Sequence, residues 1–132
     1  MKTTVTLAAV VVALFVPSEV RAQSDSGFSS TCATWSGSGT ILTATCTSIS
    51  GSMINSTLDL NDCFANTEGI LGYQVNGNFA GSCSNITHNS GNDLDGDTGY
   101  LSAICSAANG DKFDTAIATS NYVGNENGVL QC

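Results

Sequence analysis

Side chains that commonly do catalytic chemistry are sparse in this 132-residue sequence. His88 is the only histidine, and no nucleophile with an orienting carboxylate stands near it in sequence, so a Ser/His/Asp arrangement has no support. It is read as part of a polar inserted loop. Asp59 and Asp62 are the nearest thing to a glycosidase pair, yet they lie in a repeated strand-and-turn unit where capping or turn roles suffice. Asn92-Asp93-Leu94-Asp95-Gly96-Asp97-Thr98-Gly99 spaces carboxylates like a calcium loop. However, Thr98 stands where an EF-hand needs glycine, and Ile104 where it needs a bidentate glutamate. A solvated acidic loop is the favoured reading of 92–99 and an adventitious calcium site the alternative. The six cysteines show no CxxC spacing and have one histidine between them, which points to disulfides rather than zinc. No metal, no cofactor and no enzymatic activity are expected. What remains is neutral hydrogen-bonding chemistry from Asn, Ser and Thr, suited to hydroxyl-rich ligands and equally to an inert secreted domain.

The N-terminus reads as a leader. Met1-Lys2 is positive, Val5 to Val16 is an apolar run shorter than the roughly 20 residues a spanning helix needs, and Pro17 breaks it. Val20-Arg21-Ala22 places small residues at a cleavage site, so 1–22 is expected to be a signal peptide and 23–132 one secreted domain. Lys2, Glu19 and Arg21 leave with the leader, so Lys112 faces ten carboxylates and the mature net charge is −9. Such a surface disfavours nucleic acid and anionic membranes as partners. Asn55-Ser56-Thr57 and Asn85-Ile86-Thr87 are N-glycosylation sequons that secretion would make usable.

The elements that must position any site come in two copies. Phe28-Ser29-Ser30-Thr31-Cys32 returns as Phe79-Ala80-Gly81-Ser82-Cys83, and Leu42-Thr43-Ala44-Thr45-Cys46 as Leu101-Ser102-Ala103-Ile104-Cys105. Leu58 to Leu71 returns as Ile117 to Leu130. The offset is 51 residues at first and 59 later, so eight residues are inserted between Cys83 and Leu101. Two copies are too few for a solenoid, and the reading is one pseudo-symmetric domain with repeats at about 27–75 and 78–132. Cys32–Cys46 and Cys83–Cys105 occupy equivalent places, and each is expected to close its own unit. Cys63 and Cys132 remain, with Tyr122 and Tyr73 at the matching positions of the other copy; pairing them would tie the first unit to the C-terminus.

Within each copy the apolar period is two. Thr40, Leu42, Ala44 and Cys46 alternate with Ile41, Thr43 and Thr45, and Ser56, Leu58 and Leu60 alternate likewise, which predicts strands. Ile70 to Val75 suits a return strand, and Asn-Gly pairs at 76–77 and 127–128 predict turns. Asn61 to Asn66 reads as one helical turn. The fold class is mostly β.

Together these pieces resemble the cyanovirin-N homology (CVNH) family, especially its secreted fungal members. The likeness covers nearly all of 27–132 and rests on Phe-x-x-[ST]-Cys, Leu-[TS]-Ala-x-Cys, Leu58-Asp59-Leu60-Asn61 and Asn-x-x-Gly-x-Leu in order. It implies a two-lobed pseudo-dimer in which the repeats exchange strands, with short helical turns, and it favours the Cys63–Cys132 pairing. It implies a non-enzymatic lectin for mannose-type glycans with one pocket per lobe, a monomer that strand exchange could convert to a domain-swapped dimer. For the pocket near the termini, Thr31, Asn125 and Asn127 match the family's ligand positions, Asn127 standing where an Asp is found, while Gly27, Ser30, Thr47 and Ile49 replace larger or charged residues. For the second pocket Asn66, Glu68, Asn78 and Ser82 match, but Ser106, Ala108 and Gly110 replace its basic and amide side. Trp35 or Tyr73 could lend a ring face, although such rings more often join the core. The alternative function is a structural or protein-interaction module on the same scaffold without sugar affinity.

Overall fold

Alternation decides the sheets. The computed structural model describes residues 26–90 and 99–132. Strand β2 (Ile41–Thr47) buries Leu42, Ala44 and Cys46 and turns Ile41 and Thr43 outward. It lies between β1 (Cys32–Ser38) and β3 (Met53–Asp59) in an antiparallel sheet. The second copy builds the same sheet from its own three strands. In chain order, the intervening hairpin comprises β4 (Phe64–Thr67) and β5 (Ile70–Tyr73), and the second sheet comprises β6 (Cys83–Ser90), β7 (Gly99–Ser106) and β8 (Lys112–Ala118). A last hairpin joins β9 (Gly124–Glu126) to β10 (Val129–Gln131).

The two small hairpins have changed places. Strand β10, from the second repeat, packs on β2 and β3, whereas β5, from the first, packs on β8. Equivalent bonds fix both: Leu130 N donates to Ser56 Oγ at 2.9 Å, and Leu71 N to Thr115 Oγ1 at 3.1 Å. Each lobe therefore contains chain from both repeats, as the family resemblance implied. Helical turns mark the joints. A single α-helical turn, α1 (Phe28–Thr31), opens the first copy, and 3-10 turns lie at Leu60–Asp62, Phe79–Gly81 and Thr119–Asn121. Asp59 caps the first of these through Asn61 N at 3.0 Å, a capping role for that carboxylate.

One core runs through both lobes. Phe28, Leu42, Leu60, Phe64, Phe79, Leu101 and Val123 are fully buried, and most are repeat mates: Phe28 with Phe79, Leu42 with Leu101, Phe64 with Val123. Trp35 meets Phe28 edge-on at 5.7 Å and lies over Gly99, so it belongs to the core margin. Cys32–Cys46 and Cys83–Cys105 bridge directly paired strand residues, and Cys63–Cys132 spans a separation of 69 residues to join the repeats.

Two sequence expectations are corrected. The helical turn stops at Asp62, and 64–67 is a strand: Phe64 and Ala65 are buried and paired with Tyr73 and Gly72, an interaction that outweighs the local turn preference of the flanking Asn and Asp. His88 is in β6, not in a loop; it pairs with Leu101, its ring packs on Gly37, and Nε2 sits 2.7 Å from Gly39 O. The insertion thus begins only after the β6–β7 ladder has been extended to Ser90 and Gly99. The expected signal peptide and nearly all of the acidic loop 92–99 lie outside the described residues.

Candidate functional site

Each exchanged hairpin ends in a two-residue turn whose residues both have positive φ: Glu68 (52°) with Gly69 (88°), and Asn127 (51°) with Gly128 (89°). That is the φ signature of a type I′ turn, which suits the twist of two paired strands. The glycines are also places of close approach, since a Cβ on Gly69 would collide with the Phe113 ring and one on Gly128 with Ile54. Ile54 and Phe113 are themselves repeat mates, so both turns sit on a half-exposed apolar side chain.

Behind each turn an asparagine ties three segments together. In the first lobe Asn125 Nδ2 donates to Thr31 Oγ1 at 3.0 Å and to Thr47 O at 2.9 Å, while its Oδ1 accepts from Gly128 N at 2.7 Å. In the second, Asn66 Nδ2 donates to Ser82 Oγ and to Ser106 O, both at 2.8 Å, and its Oδ1 accepts from Gly69 N at 2.8 Å. The tip residue of each turn completes the clamp. Asn127 Oδ1 accepts from Ile49 N at 3.0 Å, and Glu68 Oε2 from Ala108 N at 3.2 Å. Every one of these eight bonds has its counterpart in the other copy.

The geometry sorts the expected ligand residues. Thr31, Asn125 and Asn127 are brought together, as are Asn66, Glu68 and Ser82. Asn125, however, is only 1% exposed, and its amide serves the frame, so its part is to hold Thr31 and the turn in place. Thr31 is exposed and accepts from Asn125, which leaves its own O–H to donate outward. Asn78 starts the 3-10 turn that leads to Ser82, at φ 50°, and no hydrogen bond joins its side chain to Asn66, Glu68 or Ser82. Of the substituted positions, Thr47 and Ser106 act through backbone carbonyls, and Ile49 and Ala108 through backbone N–H groups. Asn55, on β3, accepts from Thr45 Oγ1 at 2.7 Å, and Asn85 sits at a bulge of β6 with φ 51°; both are exposed.

The lobes differ in the turn beside the clamp. In the first, Ser48, Ser50 and Ser52 are linked hydroxyl to hydroxyl, and with Ile49, Ile54 and Asn127 they line a depression of about 450 Å³. In the second, Asn109 and Asp111 bond one another at 3.0 Å, and with Glu68 they give that end a carboxylate character. The serine turn went unnoticed in the sequence, although its offset from Ala107–Asp111 could have flagged it as the strand link facing Asn127. Among the described residues no cluster of His, Cys, Asp and Glu could hold a metal, and no helix is long and apolar enough to cross a membrane. The arrangement offers pre-oriented donors and acceptors in both lobes, neutral in the first and including the Glu68 carboxylate in the second.

Comparison with known proteins places this architecture. The CVNH domain profile matches residues 28–131. The solution structure of GzCVNH from Gibberella zeae is similar at 31% identity and a TM-score of 0.69, covering 79% of this chain and 94% of that one. Microvirin, solved as a mannobiose complex, is similar at 25% identity and a TM-score of 0.67, covering 80% and 97%. The CVNH protein of T. borchii is similar at 25% identity and a TM-score of 0.62, covering 79% and 96%. No curated protein matches the chain. From the profile over most of its length and the shared two-lobed fold, the chain belongs to the CVNH domain family.

Proposed function

We propose that this protein is a secreted, non-enzymatic lectin that binds mannose-type glycans through the ends of its two lobes. The observation that carries the reading is the duplicated clamp: one buried or half-buried asparagine, one hydroxyl and one turn-tip side chain, held by matching hydrogen bonds at both ends. A pyranose presents adjacent hydroxyls at fixed spacing, and fixed Asn, Thr and Ser groups can satisfy them without ionic attraction. Each such contact nets about 1 kcal/mol against water, so a single lobe binds weakly and two lobes on one glycan gain by effective concentration. The mannobiose complex of microvirin supports the ligand class. Secretion draws on the leader and on three disulfides with no free cysteine among the described residues. In a secreted chain the exposed Asn55 and Asn85 are the candidate glycan acceptors.

The first lobe is the stronger site, because the serine turn adds hydroxyls beside Asn127. The second has small residues where the family carries a basic and amide wall, and this favours the rival reading there, a protein-interaction module on the same scaffold. A glycan array on the disulfide-intact 23–132 protein separates the two. Binding to mannose-rich glycans that falls with Asn127→Ala supports the first-lobe pocket, and a further fall with Glu68→Ala adds the second. A blank array from folded protein contradicts the lectin reading, and binding unchanged in both variants contradicts these pockets.

A further inference from the structure

A third recess lies apart from both clamps. Tyr73 and Tyr122 stack with ring centroids 5.4 Å apart and planes at 10°, and Tyr122 in turn meets the fully buried Phe64 edge-on at 6.0 Å. The rings therefore climb from core to surface, ending at Tyr73, which is 45% exposed. Their positions are telling: Tyr122 is the repeat mate of Cys63 and Tyr73 the repeat mate of Cys132. Each pair takes one residue from each repeat, so the disulfide and the tyrosine stack are equivalent junctions between the two copies. The tyrosine pair borders a recess of about 350 Å³ whose other walls are Ser26, Asn121, Gln131 and Cys132.

We propose that this waist recess is a further carbohydrate subsite, taking one neutral pyranose unit of a longer glycan. The chemistry of the walls selects that class. A sugar ring has an apolar C–H face and an equator of hydroxyls, and the recess pairs aromatic rings with two amides and a hydroxyl. The face of an aromatic ring carries partial negative charge that attracts polarised C–H groups. Asn121 and Gln131 supply both donors and acceptors, and among the described residues no acidic or basic side chain lines the recess. Stacking on Tyr122 fixes the Tyr73 ring before any ligand arrives, which lowers the ordering cost of binding. The volume is at the small end of the range for ligand sites, about 300–1,000 Å³. The recess shares no residue with Thr31, Asn125 and Asn127 or with Asn66, Glu68, Asn78 and Ser82, so it extends the lectin reading and relies on it only for the class of ligand.

The test is an NMR titration of the isotope-labelled, disulfide-intact protein, with mannobiose in one arm and tetra-N-acetylchitotetraose in the other. The side-chain amide signals of Asn121 and Gln131 report the waist, and the Ile49 and Ala108 backbone amides report the two clamps. Saturable shifts of Asn121 and Gln131 with either sugar are expected. They should persist in a Thr31→Ala/Glu68→Ala double variant and weaken at least about tenfold in apparent affinity in Tyr73→Ala, with Gln131→Ala as a second probe should Tyr73→Ala fail to fold. No saturable shift with either sugar overturns the proposal, and so does a shift that vanishes in the double variant. Shifts at Ile49 or Ala108 without shifts at the waist would reject this subsite and leave the lectin reading standing.

Discussion

Replacing Asn125 with alanine would strand groups inside the protein. The Gly128 N–H loses its acceptor and the Thr47 carbonyl loses the bond from Asn125, and at 1% exposure of Asn125 little water can take its place. An unsatisfied buried group costs about 1–3 kcal/mol, so Asn125→Ala should lower stability by about 3 kcal/mol in urea unfolding. Asn66→Ala removes the same set of bonds from a half-buried site where water can substitute, and about half that loss is expected. Glu68 calls for the opposite prediction. It holds φ 52°, a left-handed conformation that costs most side chains about 1–2 kcal/mol and that asparagine adopts more readily. Asn127 shows that asparagine at this turn position can still accept the facing N–H. Glu68→Asn should therefore raise thermal stability, by about 1 kcal/mol, while altering whatever the second lobe binds. Such distinctions were hidden in the sequence. Asn-x-x-Gly reads identically for a residue that bonds its own turn and for one that reaches a ligand, and only burial separates the two.

The strands of the two main sheets were legible because their apolar residues alternate and because each pattern occurs twice. Leu42, Ala44 and Cys46 point inward as the period requires. The exchanged hairpins were harder to see. Strand β4 is four residues that contain Asn66 and follow closely on Asn61-Asp62, and β9 and β10 are three residues each, too short for a period to show. What holds them is tertiary: the asparagine clamps of the two lobes, and for each hairpin one more side-chain acceptor across the lobe, Ser56 for β10 and Thr115 for β5. Ser56→Ala should leave the buried Leu130 N–H without a partner and cost about 1–2 kcal/mol. Hydrogen exchange at Leu130 should accelerate accordingly, and Thr115→Ala should have a weaker effect at Leu71 because Thr115 is only half-buried. Unchanged exchange at Leu130 would show that the Ser56 bond does not hold the hairpin.

At the scale of the molecule, each lobe is made from both halves of the chain, and the short link after Tyr73 is what lets them fold back together. Cys63 lies before that link and Cys132 after it, so their disulfide binds the two halves covalently. Closing so long a loop is worth roughly 4 kcal/mol by chain entropy, more than either within-sheet bridge. A Cys63→Ala/Cys132→Ala variant should lose a comparable amount of stability, and on refolding at high concentration it should form exchanged dimers in sedimentation experiments while the native protein stays monomeric. The pairing of the other four cysteines was readable from the repeat, but this third bridge joins the two copies, and the positions equivalent to its cysteines hold two stacked tyrosines instead. Calorimetric titration of mannobiose into the disulfide-intact 23–132 protein tests most directly whether the lobe ends bind mannose-type sugar. Saturable binding at about millimolar strength or tighter, weakened about tenfold or more by Asn127→Ala, is the expected result. No heat of binding, from protein whose three disulfides are intact, would contradict it.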